Sequence, residues 1–219
     1  MMGKMKIEQL FLPGPAGRLE ALLEFDATAI PAAAAIVCHP HPQYGGTMHN
    51  RVVYRAAKSA LQAGFPALRF NFRGVEKSEG ESSDGPGERD DARAALDYLV
   101  GRFPGIPIVM MGFSFGAWIG LTVGAADPRV RALVGLGLPT GSADWTCLRN
   151  INKPLLIVQG TSDIFGPRAE IEALFSTLPE PKRLHWVEGA DHFFRNKLAE
   201  VQMVVGSFLQ GFVPGLPQK

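Results

Sequence analysis

Three residues of this chain have the types, order and neighbours that nucleophilic acyl transfer requires: Ser114, Asp163 and His192. Ser114 follows the run Ile-Pro-Ile-Val-Met-Met-Gly-Phe at 106–113 and stands between Gly112 and Gly116. An apolar strand that ends in Gly-x-Ser-x-Gly and passes directly into a second apolar segment, 117–123, reads as a nucleophile elbow. The serine occupies a strained turn, and the two glycines let strand and helix approach closely. A serine hydroxyl attacks a carbonyl only when a base takes its proton, and the base needs an acid to hold its tautomer. Downstream, the run Leu-Leu-Ile-Val at 155–158 leads through Gln159-Gly160-Thr161-Ser162 to Asp163, and Trp186-Val187 leads through Glu188-Gly189-Ala190-Asp191 to His192. Each candidate therefore comes just after a strand. Asp163 is the expected acid and His192 the expected base. Asp191 and Glu188 are weaker rivals for the acid, and His185 lies within a strand and is expected to be structural.

Such residues meet only if their strands end at one rim, and the rest of the chain has the pattern that achieves this. Strand-like stretches at 7–12, 19–25, 33–38, 67–72, 106–113, 130–138, 154–159 and 184–187 alternate over most of the length with helix-like stretches at 50–63, 89–100, 117–123, 168–178 and 195–212. That alternation predicts a mostly parallel sheet covered by helices on both faces, and such sheets collect ligands at the carboxyl ends of their strands. Asn50 is a good helix cap, and Asp90 and Asp91 suit the positive end of a helix dipole. The acidic, glycine-containing stretch 74–87 is expected to be a surface loop, its charge being wrong for phosphate. The tail 214–219 is expected to lie loose.

Composition narrows the class. At 219 residues, 46% hydrophobic and 20% charged, the chain is expected to be one soluble domain with a full core. A net charge of +1, with basic residues scattered rather than striped, gives no footprint for nucleic acid or an anionic membrane. No segment has the length of a signal-peptide core or a membrane span, and Cys38 and Cys147 form neither a metal spacing nor a disulfide framework, so a cytoplasmic location is expected.

On Gly112-Phe113-Ser114-Phe115-Gly116, Gly160-Thr161-Ser162-Asp163, Gly189-Ala190-Asp191-His192 and the loop His39-Pro40-His41-Pro42-Gln43-Tyr44-Gly45-Gly46, the chain resembles the α/β-hydrolase superfamily over nearly its full length. It is similar to the small lidless branch of dienelactone-hydrolase-like and carboxylesterase-like proteins, with two departures. Dienelactone hydrolases carry a cysteine at the elbow where this chain has Ser114, and the superfamily often has His-Gly where this chain has His39-Pro40. The resemblance implies an α/β-hydrolase fold with no cap domain, since only about residues 139–153 are available for one. It also implies an oxyanion hole of two backbone amides, one from Phe115 and one from the loop after the third strand. Pro40 and Pro42 have no N–H, so His41 is the expected loop donor and Gln43 the next.

The expected activity is hydrolysis of small carboxylic esters, thioesters or lactones through an acyl-enzyme. An acyltransferase on the same residues and a non-catalytic binding protein on a hydrolase fold are the alternatives. No cofactor is expected, and no metal, because His39 and His41 lack a third ligand of suitable spacing. Arg73 is expected to form a structural ion pair near the site. Phe113, Phe115, Trp145 and Phe193 are candidates either for the pocket wall or for the core.

Overall fold

A computed structural model describes residues 4–212. β1 (Met5–Gly14) and β2 (Gly17–Asp26) form an antiparallel hairpin, and β2 joins the sheet by antiparallel pairing with β4 (Ala67–Phe70). From β4 onward, β3 (Ala34–Cys38), β5 (Ile108–Phe113), β6 (Val130–Leu136), β7 (Leu155–Gly160) and β8 (Lys182–Val187) are all parallel, in the spatial order β1-β2-β4-β3-β5-β6-β7-β8. The central strands are buried on both faces, which is why they read as unbroken apolar runs rather than as alternating ones. Ala34, Ile36 and Cys38 of β3 point to one side, with Met110 of β5, and Ala35 and Val37 point to the other, with Val109 and Met111.

α1 (Arg51–Gln62) and α5 (Leu198–Gly211) cover the second side with Val52, Val53, Ala56, Ala60, Val201, Val205 and Phe208. α2 (Pro86–Arg102), α3 (Phe115–Ala126) and α4 (Arg168–Thr177) cover the first, with Ala95, Leu96 and Leu99, with Ile119, Leu121 and Val123, and with Ile171. Each large aliphatic side chain so buried contributes roughly 1.5–3 kcal/mol. Asn50 caps α1, its side-chain oxygen accepting from the Val52 amide at 2.9 Å. Between β6 and β7 lie only a loop and one 3-10 turn, Thr146–Leu148, so no cap domain covers the sheet's edge.

Several boundaries move from the sequence expectation for identifiable reasons. α2 starts at Pro86 rather than at 89, because proline fits the first helical turn and Glu88 reaches back to accept the Gly85 amide at 2.8 Å. α5 starts at Leu198 rather than at 195, because Phe194 (φ 52) and Asn196 (φ 60) take left-handed conformations that a helix cannot include. β6 stops at Leu136, where Gly137 (φ 55) turns the chain out of the sheet. Because α2 begins at Pro86, its first-turn acid is Glu88, and Asp91 lies further along, fully buried and holding the Arg73 side chain by bonds of 2.7–3.1 Å. The segment 74–87 is a loop as far as Gly85, pinned by the buried Glu88 carboxylate, which accepts from Ser82, Ser83 and Gly85. The tail 214–219 falls outside the described residues. No helix among the described residues is long and apolar enough to cross a membrane.

Candidate active site

Ser114 sits between β5 and α3 with φ 55 and ψ −122, a conformation that costs a non-glycine residue about 1–3 kcal/mol. Its surroundings hold it there. Its amide donates to the Leu136 carbonyl at 2.9 Å, and its own carbonyl accepts the first amides of α3 to bond backward, from Ala117 at 2.9 Å and Trp118 at 3.2 Å. The flanking glycines are required by contact: a Cβ at Gly112 would strike the carbonyl oxygen of Gly116, and one at Gly116 would strike the carbonyls of Cys38 and His39. Strand β5, the elbow and the loop after β3 are thus pressed backbone against backbone.

The sheet brings the three expected side chains together. The Ser114 hydroxyl lies 2.9 Å from Nε2 of His192, and Nδ1 of His192 lies 2.8 Å from Oδ2 of Asp163. With Nδ1–H donating to the carboxylate, Nε2 is left as the acceptor for the hydroxyl proton. The rivals are elsewhere: the Asp191 carboxylate accepts from the Phe193 and Arg195 amides, Glu188 from the Thr161 hydroxyl, and His185 pairs with Glu200 at 3.1 Å.

Asp163 has no exposed side-chain surface, and its charge is met by fixed donors rather than by water. Oδ1 accepts the amides of Phe165 (2.9 Å) and Gly166 (3.3 Å), and Oδ2 accepts Nε2 of Gln159 (2.8 Å) as well as His192. Gln159 was not singled out from the sequence. It is fully buried, its Oε1 accepts the Leu138 amide at 2.8 Å, and its Nε2 also reaches the Gly166 carbonyl at 3.1 Å. One amide therefore ties the acid to both loops that flank it. The available signal was a polar residue closing the apolar run of β7, since a buried polar side chain needs partners.

The loop after β3 is fixed by His39. Its Nδ1–H donates to the Pro40 carbonyl at 2.7 Å, and its Nε2 accepts the Phe72 amide at 3.0 Å, so both nitrogens are engaged in the neutral ring. Burial drives this imidazole down to about 4, outweighing the Pro40 hydrogen bond, which favours the charged form. Beyond Pro40, the Gln43 amide is taken up by Nδ1 of His41 at 3.2 Å. Among the described residues the His41 and Phe115 amides have no protein acceptor.

A cleft of about 490 Å³ opens over Ser114 and His192. His41, Tyr44, Phe115 and Trp118 wall it on one side and Phe165 and Phe193 beside the imidazole on the other. Of the aromatic residues expected there, Phe115 and Phe193 line the cleft. Phe113 and Trp145 belong to the core, Phe113 packing behind His192 with ring centroids 5.1 Å apart. Tyr44 and Phe165 were not anticipated, because their place depends on how separate loops fold over the sheet's edge, nor was Trp118, one turn into α3. Among the described residues no three His, Cys, Asp or Glu side chains are grouped to hold a metal ion.

A family model described as an alpha/beta hydrolase domain matches residues 34–203. An uncharacterized protein of Rickettsia prowazekii is 35% identical over 210 residues, covering 92% of this chain and 88% of that protein. Among solved structures, an α/β serine hydrolase homologue from Coxiella burnetii superposes with a TM-score of 0.85 at 35% identity, covering 92% of this chain and 97% of that one. An α/β serine hydrolase without a lid from Xanthomonas campestris superposes with a TM-score of 0.87 at 31% identity, covering 97% of both.

Proposed function

The chain belongs to the α/β-hydrolase family, and from that premise we propose that it is a serine esterase that cleaves small carboxylic esters through an acyl-enzyme. The observation that carries this reading is the unbroken hydrogen-bonded path from the Ser114 hydroxyl through His192 to Asp163, at 2.9 and 2.8 Å, on the floor of an open cleft. In the proposed reaction His192 takes the Ser114 proton as the oxygen attacks the ester carbonyl. Asp163 holds the imidazole in its tautomer and offsets the charge that forms on it. The imidazolium then gives its proton to the departing alcohol, leaving the acyl group on Ser114. Water repeats the attack with His192 again as base, releasing the acid and restoring the hydroxyl.

The amides of Phe115 and His41 are the proposed donors to the oxyanion. What supports His41 over Gln43 is that the Gln43 amide is already spent on the His41 ring, while the His41 amide is free of a protein acceptor. His39 holds the Pro40 carbonyl, which belongs to the same peptide group as the His41 N–H, so the proposed donor is oriented before charge develops, which is the condition for electrostatic catalysis. The absence of a cap favours short or polar esters, thioesters or lactones over long-chain fats, and it leaves water free access for the second step.

The test uses 4-nitrophenyl acetate and a fluorophosphonate probe on the same preparation. The wild-type protein should turn over the ester and be labelled at Ser114, and Ser114→Ala should lose both while keeping its circular dichroism, with turnover down by about 10⁴-fold or more. Turnover retained in Ser114→Ala would refute the assignment of the nucleophile, and an unlabelled wild-type protein would refute the esterase reading.

A further inference from the structure

The cleft carries a charge asymmetry that the hydrolytic residues do not use. Its lining holds one carboxylate, Asp84, and no lysine or arginine. The remaining walls are aromatic or small: Tyr44, Phe115, Trp118, Phe165 and Phe193, with Pro139, Ala143 and a few neutral polar groups.

Asp84 stands at the mouth on the loop that precedes α2, with its side chain 63% exposed. Its Oδ1 faces Nε2 of His41 at 3.5 Å and the Gln43 side-chain amide at 3.4 Å, so it leans on the same loop that carries the proposed oxyanion donor. Two cations touch the outside of the aromatic wall. Arg195 lies over Phe193 at 5.3 Å with its charge paired to Asp191 at 3.1 Å, and Arg89 lies over Trp118 at 4.8 Å on the side of Asp144. Neither lines the cleft. A substrate that enters therefore meets one carboxylate and several aromatic surfaces, and finds no cation to receive a second negative charge.

We propose that Asp84 is a specificity-determining residue that makes this cleft select neutral and cationic esters and reject esters bearing a free carboxylate or phosphate. The inference rests on the esterase reading and adds its substrate class. The physical reason has two parts. An anionic acyl group would have to lose part of its hydration beside the Asp84 carboxylate with no lysine or arginine in the lining to compensate, whereas an ammonium group gains both that carboxylate and the faces of aromatic rings. The effect acts at a mouth that water reaches, so it is moderate in size and sensitive to salt.

The experiment compares three 4-nitrophenyl esters of similar length: the butyrate, the hemiglutarate with its free carboxylate, and 4-(trimethylammonio)butyrate. The expected order of kcat/KM is cationic, then neutral, then anionic, with the cationic-to-anionic ratio about tenfold or more at low salt. Raising the salt from about 0.01 M to about 1 M should shrink that ratio severalfold, because the screening length falls from about 30 to about 3 Å.

Asp84→Asn should bring the ratio toward one. Asparagine suits the left-handed backbone at this position (φ 52) and can still accept from Gln43, so the loop keeps its shape. A ratio near one in the wild-type protein, or a ratio unaltered in Asp84→Asn, would overturn the proposal. Should none of the three esters be cleaved, the esterase reading falls, and the charge order is then read from the dissociation constants of the intact esters. Equal constants would overturn the selection independently.

Discussion

Gln159 and Asp163, four residues apart on β7 and the turn after it, share a buried 2.8 Å hydrogen bond at the oxygen that also receives His192. The acid is thus oriented from the sheet side by a neutral amide, and substitution there separates orientation from mere packing. Gln159→Met should remove a donor from Asp163 and an acceptor from the Leu138 amide, and destabilise the fold by about 1–3 kcal/mol. Gln159→Glu keeps the shape but sets a second carboxyl against Asp163, so the two share a proton and the support for His192 weakens. The expected result is a fall in kcat on the order of 10²-fold with KM little altered. An unaltered kcat in Gln159→Glu would reduce Gln159 to a packing residue.

His39 makes stability depend on pH in a calculable direction. Its folded-state value of about 4 lies below the 6.5 of the free side chain, so between these limits the unfolded chain binds the proton and the native one does not. The contribution is fully present above 6.5 and is lost as pH falls toward 4, in total about 3 kcal/mol. His39→Gln has no ionisable ring, so the difference in urea stability between wild type and variant should shrink steadily across that window. Parallel pH dependences would show that the ring is not held neutral.

Gly116 and Gly101 give opposite expectations for the same substitution. A methyl at Gly116 runs into the Cys38 and His39 carbonyls, while at Gly101 on α2 it meets nothing within 4 Å. Gly116→Ala should cost about 1–3 kcal/mol and depress kcat/KM by shifting the loop that carries His41. Gly101→Ala should raise stability by about 0.5–1 kcal/mol with turnover unaltered. Thermal melts of the two variants beside wild type decide it, and a tolerated Gly116→Ala would contradict the close approach at the elbow.

The Arg73 and Asp91 pair ties the end of β4 to α2 through a carboxylate with no exposed surface. Removing only the cation leaves that buried charge with a backbone amide but no opposite charge, so Arg73→Met should destabilise by about 3–5 kcal/mol. Arg73→Met with Asp91→Leu should recover most of the loss. Equal destabilisation in the single and double variants, measured by denaturant titration, would argue against a charge effect.

The three side chains that meet in one hydrogen-bonded row were legible in the sequence because each has its own local signature: a glycine-flanked serine after an apolar run, and an acid and a histidine in turns after two later runs. The parallel sheet was legible for a related reason, since strands buried on both faces cannot alternate. Residues whose role comes from distant neighbours were harder to see. Gln159 looks like any strand end until the loops at Leu138 and Gly166 close over it. Asp91 looks like a dipole acid until Arg73 is folded against it. Trp118 and Phe165 become walls only when the loops before α2 and α4 settle. The boundaries missed at 86 and 198 turned on a proline first turn and on left-handed residues, features that hydrophobic periodicity does not register.

The order of strands also decides what fails first. Ser114 hangs from β5, in the middle of the sheet, whereas His192 follows β8, which has a neighbour on one flank only and is half in solvent. Edge strands open at lower free energy than central ones. Fraying of that last strand would carry the imidazole away from a serine still seated in an intact scaffold, so gentle denaturation should silence the protein well before its core melts.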